Sequence, residues 1–263
     1  MLNKLLKYDL KWTYKVLIVF YILSLISSII SRYLMGIENS MLFNIIAQIT
    51  SGFTVAMVIN AFINCLMRLW SRFVRNVYQD ESYLTHTLPV EAKTIYASKV
   101  ISAIICVFTT VLVSLISLFI CYYSAHNLEL LKDALEIAAN TYNTTVFNFV
   151  FIVSFLIFLE IVFIILIGYV GIIIGHKSNK NKMVKTIIIS FSLYMLTQII
   201  TLILIFIYGL LNPEVMNLIK TTSNISLDAI KNIMFLAIII YTIYDLIYLF
   251  IGKIQLEKGI NVD

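Results

Sequence analysis

The sequence predicts an all-α polytopic membrane protein with six transmembrane helices, and three observations carry that reading. Of 263 residues, 61% are apolar and 13% charged, with a mean hydropathy of +0.96. Soluble domains run at roughly 45–50% apolar and about 25% charged. The apolar residues also fall in long unbroken runs, each near or above the ~20 residues that a helix needs to cross hydrocarbon. They do not alternate as the strands of a β-barrel would. Finally, Lys and Arg are distributed unequally between the two ends of those runs.

In chain order, residues 1–15 place Lys4, Lys7, Lys11 and Lys15 on one helical stripe, with Leu2, Leu5, Leu6, Leu10 and Trp12 on other faces. That pattern predicts an N-terminal interfacial helix with its lysines toward headgroups. The following run is long for the apolar region of a cleaved signal and lacks a small-x-small site, so the segment is expected to remain. Spans are expected at 16–35, 41–67, 100–123, 146–175, 186–211 and 232–251. A long loop, Arg68 to Lys99, joins the second span to the third, with its coupling segment at 76–99. A polar stretch with a short surface helix near 128–138 precedes the fourth span, a polar connection begun by Pro213 precedes the sixth, and 252–263 form a tail. All belong to one expected transmembrane domain, 1–263.

Alternate ends of six spans receive fifteen and four of the nineteen Lys and Arg residues; the four are Arg32, Lys132, Lys220 and Lys231. The positive-inside rule therefore predicts cytoplasmic N- and C-termini. In such a chain basic residues set topology, and no nucleic-acid partner is expected. Cys65, Cys106 and Cys121 all lie in apolar runs, with no spacing that suggests a disulfide frame or a metal site.

Polar residues inside the spans are the candidates for a transport pathway. Asn60 and Asn64 share one face of the second span, and Asn44 and Gln48 nearly the opposite one. Gln198 lies on a face of the fifth with Tyr194 and Thr201. Each group serves either as pathway lining or as interhelical glue. Glu160 sits near the middle of the fourth span, where a charge costs roughly 2.5–3.5 kcal/mol on insertion scales. It reads as a proton or cation site, or as a neutral carboxyl in a helix seam. Asp245 lies nearer the end of the sixth span.

The loop holds Asp80, Glu81 and Glu91 among Arg68, Arg72, Arg75, Lys93 and Lys99. Thr87-Leu88-Pro89-Val90-Glu91 reads as a helix start, with Pro89 at the first position. The run Asp80-Glu81-Ser82-Tyr83-Leu84-Thr85-His86-Thr87-Leu88-Pro89-Val90, followed by Ser98-Lys99, resembles the cytoplasmic loop of type 2 ABC-exporter permeases. Many clostridial and bacillar members read Asp-Glu-Gly-Tyr-Leu-Thr-x-Thr-Leu-Pro-Val there. Ser82 replaces the glycine and His86 fills the variable position.

That resemblance implies the transmembrane permease subunit of an ATP-driven exporter in a bacterial cytoplasmic membrane. Its substrate would be a peptide, an antimicrobial or a hydrophobic compound. It implies a coupling helix at Gln79, Asp80, Glu81, Tyr83, Leu84, Thr87, Leu88 and Pro89 that docks on a separate cytoplasmic ABC ATPase, which carries ATP and Mg. It also implies a second permease copy or paralogue, spans two and five along the pathway, and short re-entrant helices in 212–231. The chain carries no phosphate-binding loop, so neither enzyme activity nor a bound cofactor is expected of it; lipid is its other neighbour. Two alternatives are a proton-coupled secondary transporter using Glu160, and a membrane sensor or immunity protein that binds an external peptide.

Overall fold

The computed structural model describes residues 1–37, 41–87, 89–142, 144–220 and 227–259. Among them the secondary structure is all helix: α1 (Leu2–Met35), α2 (Met41–Val77), α3 (Ser82–Thr87), α4 (Ala92–Tyr122), α5 (Ala125–Thr141), α6 (Val146–Gly175), α7 (Lys182–Leu211), α8 (Pro213–Lys220) and α9 (Leu227–Glu257). Six of these, α1, α2, α4, α6, α7 and α9, are long and apolar enough to cross a membrane. This is a multi-pass, all-α architecture.

Several helices run past their apolar stretches. Residues 1–15 are not a separate helix; they continue without a break into 16–35 as α1. No glycine or proline interrupts that stretch. With 34 and 37 residues, α1 and α2 extend roughly 51 and 56 Å at ~1.5 Å per residue, against a hydrocarbon core of ~30 Å. Their ends therefore stand clear of it. Arg68, Arg72 and Arg75 are helix residues of α2 and not loop residues. Pro89 does not start a helix: α4 begins at Ala92, with Glu91 as its N-cap residue. The loop's own helix, α3, lies before the proline. Leu88, residues 221–226 of the polar connection and residues 260–263 of the tail lie outside the described residues.

The chain folds as two compact units, one over Met1–Leu130 and the other beginning at Leu131. In the first unit α1 packs against both α2 and α4, α2 packs on α4, and α3 folds onto α2. The buried face of α1 is Asp9, Thr13, Leu17, Tyr21, Ser24, Ser27, Ser28 and Ser31, which follows the three- and four-residue spacing of one helical stripe. Small hydroxyl residues let the backbones approach and bond across the seam. Tyr21 pairs with Thr110 at 2.6 Å, Ser24 with Ser117 at 3.1 Å, and Thr54 donates to Ser27 at 2.8 Å.

In the second unit α6 packs against α7 and α9. Gly171 and Gly175 let α7 come close, since a side chain at either would run into Ser190 or Thr186. Phe163 of α6 is fully buried among Tyr194, Tyr241, Tyr244 and Tyr248, with ring centroids 5.4–6.4 Å away. Most of α7 is exposed; of its residues only Thr197 and Gly209 are buried.

Candidate functional site

The first unit concentrates its chemistry at the end where α1 begins, α2 ends and α4 begins. The stripe that buries Thr13, Leu17 and Tyr21 carries Asp9 into the same interface four residues earlier. At ~1.5 Å per residue, Asp9 stands roughly 10 Å before the apolar stretch that starts at residue 16. Its carboxylate is nearly enclosed and accepts from two helices. Arg72 Nε of α2 donates to Oδ1 at 3.0 Å, Lys99 Nζ of α4 donates to Oδ1 at 2.6 Å, and Ser98 Oγ donates to Oδ2 at 3.0 Å.

Arg72 then reaches the loop. Its Nη1 donates to Glu81 Oε2 at 2.6 Å, and Asn76 Nδ2 donates to the same oxygen at 3.2 Å. The side chains of Asp9, Arg72 and Lys99 are 4%, 9% and 3% exposed, and that of Glu81 is 35% exposed. Two cations and two anions thus neutralise one another in a node joining α1, α2, α4 and the start of α3. Trp12 lines the same place: Arg68 Cζ lies 3.7 Å from its ring centroid, and Arg68 Nη2 donates to its carbonyl at 3.2 Å. Tyr78, buried under the loop, packs beside Phe73. Burial pushes the Tyr78 phenol above the usual tyrosine range.

α3 rises from this base. Glu81 anchors it, since the Thr85 amide and hydroxyl both donate to the Glu81 carbonyl, at 3.0 and 2.9 Å. Ser82 and Thr85 turn inward and are buried. Tyr83 and Leu84 turn outward and are 77% and 67% exposed. Gln79, Asp80, Thr87 and Pro89 are exposed around them. Of the loop residues expected to meet a partner, all but Glu81 and Leu88 are exposed. Glu81 is committed inward, and Leu88 is outside the described residues. The exposed pairs Arg75–Asp80 (3.4 Å) and Lys93–Glu91 (2.6 Å) contribute little in water.

The pathway candidates divide between the units. Asn60 and Asn64 are half-buried in the first, and each donates back to its own helix, to the carbonyls of Ala56 and Asn60. Glu160 and Gln198, half-buried in the second, both approach Tyr241 of α9. Asp245, four residues after Tyr241 on α9, is buried, and its Oδ1 has no hydrogen-bond partner among the described residues. Among the described residues no group of three or more His, Cys, Asp or Glu side chains is gathered as a metal ion would require.

Asp9 escaped the sequence reading, as did the burial of Arg72 and Lys99. One signal was present: Asp9 is the only acidic residue in the first 37. Comparison with protein-family models, with curated proteins and with solved structures returned no match.

Proposed function

We propose that this chain is the transmembrane permease subunit of an ATP-driven ABC exporter, with α3 as the helix that docks on a cytoplasmic ATPase. The observation that carries the proposal is the outward pair Tyr83 and Leu84 on a helix outside the six apolar stretches. Large apolar side chains held in water by an ordered base mark a contact surface. They sit within the motif from Asp80 to Val90 that resembles the ATPase-coupling loop of such permeases.

The mechanism follows from the node. A force on α3 reaches Glu81, passes through Arg72 to Asp9, and from Asp9 to Lys99. The ends of three spans then move together, because pulling Asp9 away from Arg72 and Lys99 would strand buried charge at a cost of about 3–5 kcal/mol. ATP binding and hydrolysis on the partner would bias the spans between two arrangements with different affinity for substrate. The membrane would be the bacterial cytoplasmic one, and the cargo a peptide, antimicrobial or hydrophobic compound.

The test is co-purification in mild detergent of tagged protein, wild type beside Leu84→Asp. A stoichiometric soluble ATPase with wild type, lost in the variant, supports the reading. No ATPase with either well-folded protein overturns it. A second reading, a proton-coupled transporter, draws on the convergence of Glu160 and Gln198 at Tyr241. It requires that flux collapse with an uncoupler and with Glu160→Gln, in membranes lacking any ATPase partner.

A further inference from the structure

The second unit holds a cavity that neither the loop nor the pathway candidates use. It has a volume of about 550 Å³ and lies among the C-terminal end of α5, the first turns of α6 and the first turns of α9. Asn140, Thr144, Asn148 and Lys231 supply its polar wall, and Phe151 and Phe235 its apolar one. Among the described residues that line it there is no carboxylate. Lys231 spends one N–H on the Tyr142 carbonyl at 3.2 Å, which orients the ammonium and leaves two protons for a ligand. Thr145 caps α6 by accepting from the Asn148 amide at 3.3 Å, so the cavity sits where the α6 span starts. Residue 232 opens the last apolar stretch, which puts Lys231 at the same hydrocarbon edge.

From the cavity an aromatic track descends α6. Phe147 and Phe151 stack at 6.5 Å, Phe151 and Phe155 at 6.1 Å with rings 2° from parallel. All three rings are exposed along the helix face. One end of the site is therefore rich in donors and cationic, and the other is a continuous apolar surface directed into the membrane.

We propose that this cavity binds an anionic phospholipid. Its phosphate would lie on Lys231 with the amides of Asn140 and Asn148, and one acyl chain along Phe151 and Phe155. An ammonium and neutral amides, with no acidic side chain among the described lining residues, select an anionic head. The ring track adds nothing to binding of a small soluble anion, whereas it gives a defined surface to a chain. The volume falls within the ~300–1,000 Å³ of ordinary small-molecule sites.

The test is lipid titration of the full-length protein in detergent, read by native mass spectrometry. Dioleoyl phosphatidylglycerol is compared with dioleoyl phosphatidylcholine on wild type, Lys231→Gln, Lys231→Arg and the surface control Lys132→Gln. The expected result is a preference for phosphatidylglycerol that falls about tenfold in Lys231→Gln. Lys231→Arg and Lys132→Gln should keep it, and Phe151→Ser should weaken binding of both lipids, which share their acyl chains. Equal binding of both lipids to wild type overturns the proposal. So does full retention by Lys231→Gln, or equal loss in the Lys132→Gln control. Inorganic phosphate displacing the lipid at matched concentration would assign the site to a soluble anion and overturn it too. Should Lys231→Gln fail to fold, the Lys231→Arg and Phe151→Ser pair decides: loss of the preference in Lys231→Arg, or unchanged affinity for phosphatidylglycerol in Phe151→Ser, overturns the proposal.

Discussion

The two units solve the same packing problem with different chemistry. The first closes its seam with hydroxyls and caps it with the Asp9–Arg72–Lys99–Glu81 node. The second closes with two glycines and a fully buried phenylalanine ringed by four tyrosines. In lipid the hydrophobic effect does not distinguish helix from solvent, so association rests on close packing and hydrogen bonds. Charge pairing adds to that only where the helices leave the hydrocarbon, and the first unit has its node at such an end. The contrast shows how the loop is tied to the first unit: the Arg72–Glu81 pair joins α3 to the charge network, whereas the second unit's seam is close-packed and aromatic.

Substitutions test the contrast, beginning with the largest effect. Asp9→Ala leaves Arg72 and Lys99 facing each other in a buried site and should cost about 3–5 kcal/mol, read as a fall in the thermal midpoint in detergent. The triple change Asp9→Leu, Arg72→Met and Lys99→Met should recover most of that loss, because a complete buried network is often replaceable by apolar residues. Failure of the recovery would mean that the node does more than balance charge.

In the second unit Phe163→Ala should cost less, about 2 kcal/mol. The lost packing is real, but lipid replaces the transfer component that makes such a change worth roughly 3–5 kcal/mol in a water-soluble core. A loss equal to that of Asp9→Ala would break the distinction between the units. Glu81→Gln is smaller again, about 1 kcal/mol, since the carboxylate is a third exposed and partly screened. Its signature is local: hydrogen exchange over residues 79–87 should quicken, while that of α6 and α9 stays unchanged. Leu84→Asp should alter stability by no more than about 0.5 kcal/mol while abolishing the partner contact, which separates docking from folding.

Much of this architecture was legible from sequence, because six apolar runs leave a helical membrane protein few alternatives. The helix ends were not. Hydropathy stops near Met67, yet α2 continues to Val77, because Leu69, Arg72, Phe73, Asn76 and Val77 carry its buried face onward with partners that hydropathy does not register. The Pro89 helix start was misread for a similar reason. Local rules favour a helix after the proline, while the Arg72–Glu81 contact anchors one before it. Asp9 is the hardest case. Its partners Arg72 and Lys99 are 63 and 90 residues away, so only the folded helices bring the charges together. Tyr83 and Leu84 were legible as loop residues, but their outward direction depends on Glu81 being held inward.

The most direct test of the account places a single cysteine at Leu84. The native cysteines Cys65, Cys106 and Cys121 are all buried, so a thiol-to-amine cross-linker in native membranes reports mainly on the introduced site. The expected result is one adduct, identified by mass spectrometry as a soluble ATPase with a glycine-rich phosphate loop. It should form from Leu84→Cys and not from Lys132→Cys on exposed α5. No ATPase adduct at Leu84, or the same adduct from both positions, would contradict the claim that α3 is the docking helix.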